Sequence, residues 1–144
     1  MSEAMSPFRL MIVEDNPADV YLIERALHEN SVAYTLAVCV DGDEALRWIQ
    51  HSSHPPPELI VLDLHMPRTG GAEVLRAIRS APSLADVPVM ILSSSQSPAD
   101  KNRVERLGCA RYVQKPTMLD EFLSQVGGAV KQLLLESRTR NGAP

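Results

Sequence analysis

The sequence predicts an α/β fold in which a parallel sheet of five strands is covered by helices on both faces. Short, mainly apolar runs have the length and content of strands buried on both faces, and segments with apolar residues at helical spacing separate them. The strands are predicted at residues 8–13, 34–40, 59–62, 89–92 and 110–113. At 144 residues, the chain fits one domain with a substantial core.

Capping and turn residues mark the predicted helix boundaries. Asn16 is a typical helix cap with Pro17 at the first helical position, and Asp41 with Glu44 resembles a capping box. Consecutive prolines at 55–57 exclude a helix or a central strand there and predict a surface loop. The remaining boundaries come from turn residues, which are Pro67, Gly70, Gly71, Ser97, Pro98 and Gly108.

The last predicted helix covers residues 119–135, and Gly127 with Gly128 forms a weak point in its middle. This helix ends in consecutive leucines at 133–135, of which at least one must face outward. An outward apolar residue there predicts a homodimer through the C-terminal helix region. The chain is expected to divide into a flexible N-terminus, one folded domain and a flexible tail, at residues 1–7, 8–135 and 136–144.

The composition argues against several classes of protein. The net charge is -4 without a long run of one sign, which argues against a nucleic-acid-binding surface. No apolar stretch has the length of a membrane span, and residues 1–7 lack the apolar core of a signal peptide. A cytoplasmic protein is therefore expected. Cys39 and Cys109 belong to no metal-binding or redox motif and are expected to be reduced thiols.

Polar side chains follow four of the predicted strands. They are Glu14 and Asp15 after the first, Asp63 after the third, Ser93 after the fourth and Lys115 after the fifth. Parallel strands bring their carboxyl ends to one sheet edge, where open α/β sheets bind ligands. The flavodoxin-like strand order 2-1-3-4-5 makes the first and third strands neighbours, so the carboxylates are expected to converge.

This set of side chains suits a divalent cation and a phosphoryl group. Clustered carboxylates repel one another unless a cation lies among them, and Mg²⁺ (or Mn²⁺) prefers hard oxygen ligands. A carboxylate can attack a phosphoryl donor and form an aspartyl phosphate. The cation, the Lys115 ammonium and the Ser93 hydroxyl would then each contact a phosphoryl oxygen.

Four motifs surround these side chains. They are Val13-Glu14-Asp15, Leu62-Asp63-Leu64-His65-Met66-Pro67 with Gly70-Gly71, Leu92-Ser93-Ser94, and Tyr112-Val113-Gln114-Lys115-Pro116. The Asp-x-x-Met-Pro sequence after an apolar strand is specific, and the ordered set is more specific still. Over about residues 8–135, the chain resembles the receiver domain of two-component response regulators.

The resemblance implies an acceptor and a metal site. Asp63 would accept a phosphoryl group from the phosphohistidine of a sensor histidine kinase. Mg²⁺ would be bound by Asp15, Asp63 and the main-chain carbonyl of His65, with Glu14 acting mainly through water.

The resemblance also implies a switch. Ser93 would be the switch hydroxyl and Tyr112 the switch aromatic: the phosphoryl group draws in Ser93, the following loop moves, and Tyr112 repacks inward. In this family the peptide bond between Lys115 and Pro116 is typically cis.

A narrower resemblance is to the stand-alone receivers that partner bacterial phytochromes. It rests on residues 13–23, with the sequence VEDNPADVYLI, and on the interval from Asp15 to Asp63, which the loop near Pro55 lengthens. It implies a bacteriophytochrome as the sensor kinase.

The expected function is that of a single-domain response regulator that signals through phosphorylation-dependent binding or a phosphorelay. Its only chemistry would be self-phosphorylation and dephosphorylation, so it is not expected to be an enzyme.

One alternative is a pseudo-receiver interaction module, against which the complete acidic site argues. Another is a phosphatase with Asp15 as the nucleophile, although Pro17 stands where a second aspartate would help. A flavin-binding electron carrier would need a hydroxyl-rich phosphate loop after the first strand, which is absent.

Overall fold

Strand and helix alternate five times along the chain, as the sequence predicts. The computed structural model describes residues 6–51 and 55–140. The strands are β1 (Phe8–Val13), β2 (Tyr34–Cys39), β3 (Leu59–Leu62), β4 (Val89–Ser93) and β5 (Arg111–Gln114). The helices are α1 (Pro17–Glu29), α2 (Gly42–His51), α3 (Gly71–Ser80), α4 (Pro98–Arg106) and α5 (Leu119–Arg140).

The predicted caps begin and end the helices. The Asn16 side chain accepts a hydrogen bond from the Ala18 amide (3.0 Å), and the Asp41 side chain accepts one from the Glu44 amide (2.8 Å). Gly108 follows α4 with a φ of 92°, a left-handed conformation that favours glycine. Local capping chemistry therefore sets these boundaries.

All five strands are parallel and lie in the expected order β2-β1-β3-β4-β5. In β1, alternate residues face different helical layers: Leu10 and Ile12 pack with α1 and α5, whereas Met11 and Val13 pack with α2, α3 and α4. The register pairs Val13 with Leu62, so the residues that follow β1 and β3 lie side by side.

The last helix continues beyond its predicted end. It reaches Arg140, whereas the sequence predicts a flexible tail from residue 136. The Arg138 guanidinium donates to the Glu58 carboxylate (2.7 and 3.1 Å) and to the carbonyl oxygen of Ser6 (2.9 Å). These contacts hold the last turn, and a local pattern could not predict them because the partners are distant in sequence. The outermost parts of the predicted termini, residues 1–5 and 141–144, lie outside the described residues.

Gly127 and Gly128 form no break in α5, although the sequence predicts a weak point there. A Cβ atom at Gly127 would collide with the Asn30 side chain and with the carbonyl oxygen of Ala26, whereas one at Gly128 would meet nothing within 4 Å. Gly127 therefore permits α1 and α5 to pack closely, at some cost in helix propensity.

Three smaller features complete the fold. Cys39 and Cys109 are free thiols, as expected. No peptide bond among the described residues is cis, so the bond between Lys115 and Pro116 is trans and differs from the isomer that the resemblance implies. Within residues 6–51 and 55–140, none of the helices combines the length and the apolar character that crossing a lipid bilayer requires.

Candidate functional site

The carboxyl ends of the strands bring the predicted site residues to one edge of the sheet. Glu14 follows β1, Asp63 follows β3, Ser93 is the last residue of β4, and Lys115 follows β5. The Asp63 amide donates to the carbonyl oxygen of Val13 (2.9 Å), which ties the two acidic strand ends together. The expected convergence is therefore a direct result of the strand order.

Three carboxylates form a compact acidic cluster. One oxygen each from Glu14, Asp15 and Asp63 lies within 4.8 Å of the others. Glu14 and Asp63 are buried, whereas Asp15 is exposed. Burial and the charge of Asp63 raise the pKa of Glu14 to about 7, against the opposing effect of Lys115. Burial also raises the pKa of Asp63, although the Lys115 ammonium opposes this shift. The raised pKa values indicate that the cluster favours additional positive charge.

The cluster fits a hard divalent cation. Carboxylate oxygens are ligands that Mg²⁺ and Mn²⁺ prefer, and a small number of protein ligands leaves coordination positions for water. Glu14, Asp15 and Asp63 are the residues that would hold such an ion. The contribution of the His65 main-chain carbonyl stays a prediction.

Lys115 is shared among carboxylates from three parts of the chain. Its Nζ lies 2.9 Å from Glu14 Oε1, 2.8 Å from Asp19 Oδ2 and 3.8 Å from Asp63 Oδ1. Burial alone would lower the pKa of Lys115, but the hydrogen bonds with Asp19 and Glu14 outweigh it and raise that pKa. The site therefore contains a positive charge close to the predicted acceptor.

The loop after β3 positions Asp63. The His65 amide nitrogen lies 3.4 Å from Asp63 Oδ1, and the Gly71 amide donates to the Leu64 carbonyl oxygen (2.9 Å). A Cβ atom at Gly71 would collide with the Asp63 carbonyl and with Leu64 Cα. Glycine at this position therefore allows α3 to begin directly against Asp63 and Leu64, the residues that follow the acceptor strand.

Hydrogen bonds through one loop connect the two predicted switch residues. The Ser95 amide donates to Ser93 Oγ (3.1 Å), and the Tyr112 hydroxyl donates to the Ser95 carbonyl oxygen (3.0 Å). Ser93 is buried and Tyr112 is half-buried. Any movement of the loop between β4 and α4 would therefore alter both contacts.

Sequence reasoning missed two acidic residues near the site, Asp19 and Asp100. Asp100 Oδ2 accepts a hydrogen bond from the Ser95 hydroxyl (2.7 Å) and lies 2.9 Å from His65 Nε2. These contacts lower the pKa of Asp100. Asp19 and Asp100 each lie in the first turn of a helix, where the helix dipole favours a negative charge. Stabilisation of the helix is therefore a sufficient reason for an acidic residue at either position. The local pattern consequently contains no signal of their contacts with the site.

Comparison with known proteins identifies a family over most of the chain. Residues 10–127 match the family model described as the response regulator receiver domain. The response regulator Rcp1 of Synechocystis sp. is 30% identical over 141 residues, which cover 95% of this chain and 95% of Rcp1.

Solved structures of response regulators have the same fold as this chain. The phosphorylated cyanobacterial phytochrome response regulator RcpA superposes with a TM-score of 0.83 at 32% identity, covering 90% of this chain and 95% of RcpA. The Mn²⁺-bound form of Rcp1 gives a TM-score of 0.81 at 30% identity, with 89% and 95% covered. The bacteriophytochrome response regulator RtBRR gives 0.71 at 30% identity, with 89% and 78% covered.

Proposed function

This chain belongs to the response regulator receiver domain family, and we propose that it accepts a phosphoryl group on Asp63 from a sensor histidine kinase. It then signals through phosphorylation-dependent protein interaction or passes the group on in a phosphorelay. The observation that carries the proposal is the buried Asp63 carboxylate, which lies in an acidic cluster and 3.8 Å from the Lys115 ammonium.

The transfer step uses the Asp63 carboxylate as the nucleophile. One of its oxygens bonds to phosphorus while the bond between phosphorus and the donor atom breaks, and the electron pair of that bond leaves with the donor. Negative charge on the equatorial phosphoryl oxygens then needs positive partners. Lys115 is near enough to supply one, and the Ser93 hydroxyl at the end of β4 can donate to another.

A divalent cation held by Glu14, Asp15 and Asp63 would supply further charge neutralisation when bound. Its binding is supported by the raised pKa values of Glu14 and Asp63 and by the Mn²⁺-bound form of the relative Rcp1. We propose Mg²⁺ as the physiological ion, since oxygen ligands and bound water suit it. Hydrolysis of the acyl phosphate restores the free carboxylate, and no other chemistry is proposed.

A bacteriophytochrome is the proposed kinase partner. This part of the proposal rests on the similarity to RcpA, Rcp1 and RtBRR, which share 30–32% of their residues with this chain. It is tested by comparing purified sensor kinases for the rate at which each phosphorylates the protein. A bacteriophytochrome that transfers no faster than unrelated kinases would refute it.

Phosphorylation with acetyl phosphate and Mg²⁺ tests the acceptor directly. Wild-type protein should gain one phosphoryl group, and mapping of the modified residue should identify Asp63. Asp63→Asn should gain none, because an amide is not a nucleophile of comparable strength. Asp86→Asn is the matched control, since Asp86 is an exposed aspartate in the loop before β4, at the opposite ends of the strands.

The outcomes separate the alternatives. Labelling of Asp63→Asn at the wild-type level would refute the assignment. Wild-type protein that takes no label from any donor would instead be an interaction module that works without phosphorylation. Continuous turnover of a generic phosphate ester that depends on Asp15 would favour a phosphatase.

A further inference from the structure

Asp19 holds the Lys115 ammonium without belonging to the acidic cluster. The distance from Lys115 Nζ to Asp19 Oδ2 is 2.8 Å, whereas the distance to Asp63 Oδ1 is 3.8 Å and too long for a hydrogen bond. The two paired side chains are only 15% and 20% exposed, so solvent screens their ion pair little. Asp19 lies in the first turn of α1, the helix that follows β1.

We propose that Asp19 is a positioning residue that holds the Lys115 ammonium beyond hydrogen-bond distance of Asp63 until a phosphoryl group arrives. The inference rests on the proposed function, because the event that moves Lys115 is the phosphorylation of Asp63. The new phosphoryl group adds negative charge and oxygen acceptors beside an ammonium that already has two carboxylate partners. Asp19 and the phosphoryl group then compete for the same cation.

Competition for Lys115 has a measurable consequence. When Asp19 loses its charge, less interaction has to be broken for Lys115 to reach the phosphoryl group, so the phosphorylated state becomes more favourable. Asp19→Asn removes the charge and keeps the shape, whereas Asp19→Glu keeps the charge. The effect should require Lys115, since Asp19 acts only through it.

The test is an equilibrium titration with beryllofluoride, a stable analogue of the phosphoryl group, at saturating Mg²⁺. Asp19→Asn should bind it about tenfold more tightly than wild type, the factor expected when one competing hydrogen bond to a charged group is lost. Asp19→Glu should bind as wild type does. Asp120→Asn is the matched control, because it removes the same charge from the first turn of α5. In a Lys115→Ala background, Asp19→Asn should have no effect.

An equal effect of Asp19→Asn with and without Lys115 would overturn the inference, because it would show a general effect of charge or of α1 stability. Unchanged affinity in folded Asp19→Asn would also overturn it, and Asp19→Ala replaces that variant if it does not fold. Failure of the proposed function gives a different result: wild-type protein binds no beryllofluoride and takes no label from acetyl phosphate. The nitrogen NMR signal of Lys115 tests the inference separately. An identical signal in wild type and Asp19→Asn would contradict it, because it would show that Asp19 does not hold the ammonium.

Discussion

The Lys115 ammonium nitrogen lies 3.8 Å from Asp63 Oδ1, although β4 separates β5 from β3 in the sheet. The long lysine side chain spans the end of β4 and reaches the acidic residues that follow β1 and β3. The Lys115 ammonium thus links the predicted acceptor, which follows β3, to β5, the strand that carries Tyr112.

Lys115→Ala should uncouple phosphorylation from the response of Tyr112. The variant is expected to accept phosphate slowly, because one positive partner of the phosphoryl oxygens is lost. The NMR signals of the Tyr112 ring should stay as in the unphosphorylated protein. Lys131→Ala, which removes an exposed lysine from α5, should respond as wild type does. A normal Tyr112 response in Lys115→Ala would remove the lysine from the switch.

Asp15→Ala should weaken binding of the divalent cation. A site with few protein ligands loses much of its affinity with each one, and we expect a loss of at least about tenfold. Calorimetric titration with Mn²⁺ measures this affinity, and phosphorylation by acetyl phosphate should fall in parallel. Asp86→Ala provides the control for removal of an exposed aspartate. If Asp15→Ala were phosphorylated to the wild-type level in the presence of a chelator, the proposed metal site would be excluded.

Glu14→Gln should remove a pH dependence of stability in the metal-free protein. The pKa of Glu14 is raised from 4.5 to about 7 in the folded state, so its ionisation opposes folding. The free energy of unfolding should therefore be highest below the unfolded pKa and fall as the pH rises through about 7. Each pKa unit corresponds to about 1.4 kcal/mol, so a shift from 4.5 to about 7 gives a loss on the order of 3 kcal/mol.

Denaturant unfolding with chelator at pH 5 and pH 8 measures this dependence on Glu14. The difference between the two values should shrink in Glu14→Gln and persist in Glu121→Gln, since Glu121 is exposed in the first turn of α5. Mg²⁺ should restore stability at pH 8. An equal difference in unfolding free energy between pH 5 and pH 8 in wild type and Glu14→Gln would contradict the prediction.

Gly127→Ala and Gly128→Ala should change stability in opposite directions. At Gly127 the new methyl group would collide with Asn30 and Ala26, and such overpacking typically costs about 1–3 kcal/mol. At Gly128 it would meet nothing within 4 Å, so the higher helix propensity of alanine should add up to about 1 kcal/mol. Thermal unfolding of the two variants tests the pair, and equal shifts would show that α1 and α5 tolerate a larger separation.

The C-terminal helix region should mediate a homodimer. Of the consecutive leucines, Leu133 and Leu134 are buried, whereas Leu135 is 42% exposed. A two-fold interface uses one patch twice, so Leu135→Glu should bring two charges together and yield monomers with an unchanged fold. Val40→Glu is the control at another exposed apolar residue. Wild-type protein that sediments as a monomer, with and without phosphodonor, would refute the dimer.

The element order, the strand edge and the identity of the residues at the site follow from local patterns in the sequence. Apolar runs and caps are local patterns, and each depends on neighbours a few residues away. Once the strands are parallel, the end of every strand lies at one edge whatever the packing of the helices. For this reason the sequence alone predicts that Glu14, Asp63 and Lys115 lie at one site.

Contacts between side chains of different elements depend on the three-dimensional packing of the chain. Three contacts join residues that are distant in sequence. They are the ion pair of Asp19 with Lys115, the contact of His65 with Asp100, and the ion pair of Arg138 with Glu58 that extends α5. Such contacts depend on how closely helices approach one another and on the direction of each side chain. Gly127 shows the same point, since its role appears only where α5 meets α1. A one-dimensional pattern contains neither distance nor direction, so these features could not be predicted from it.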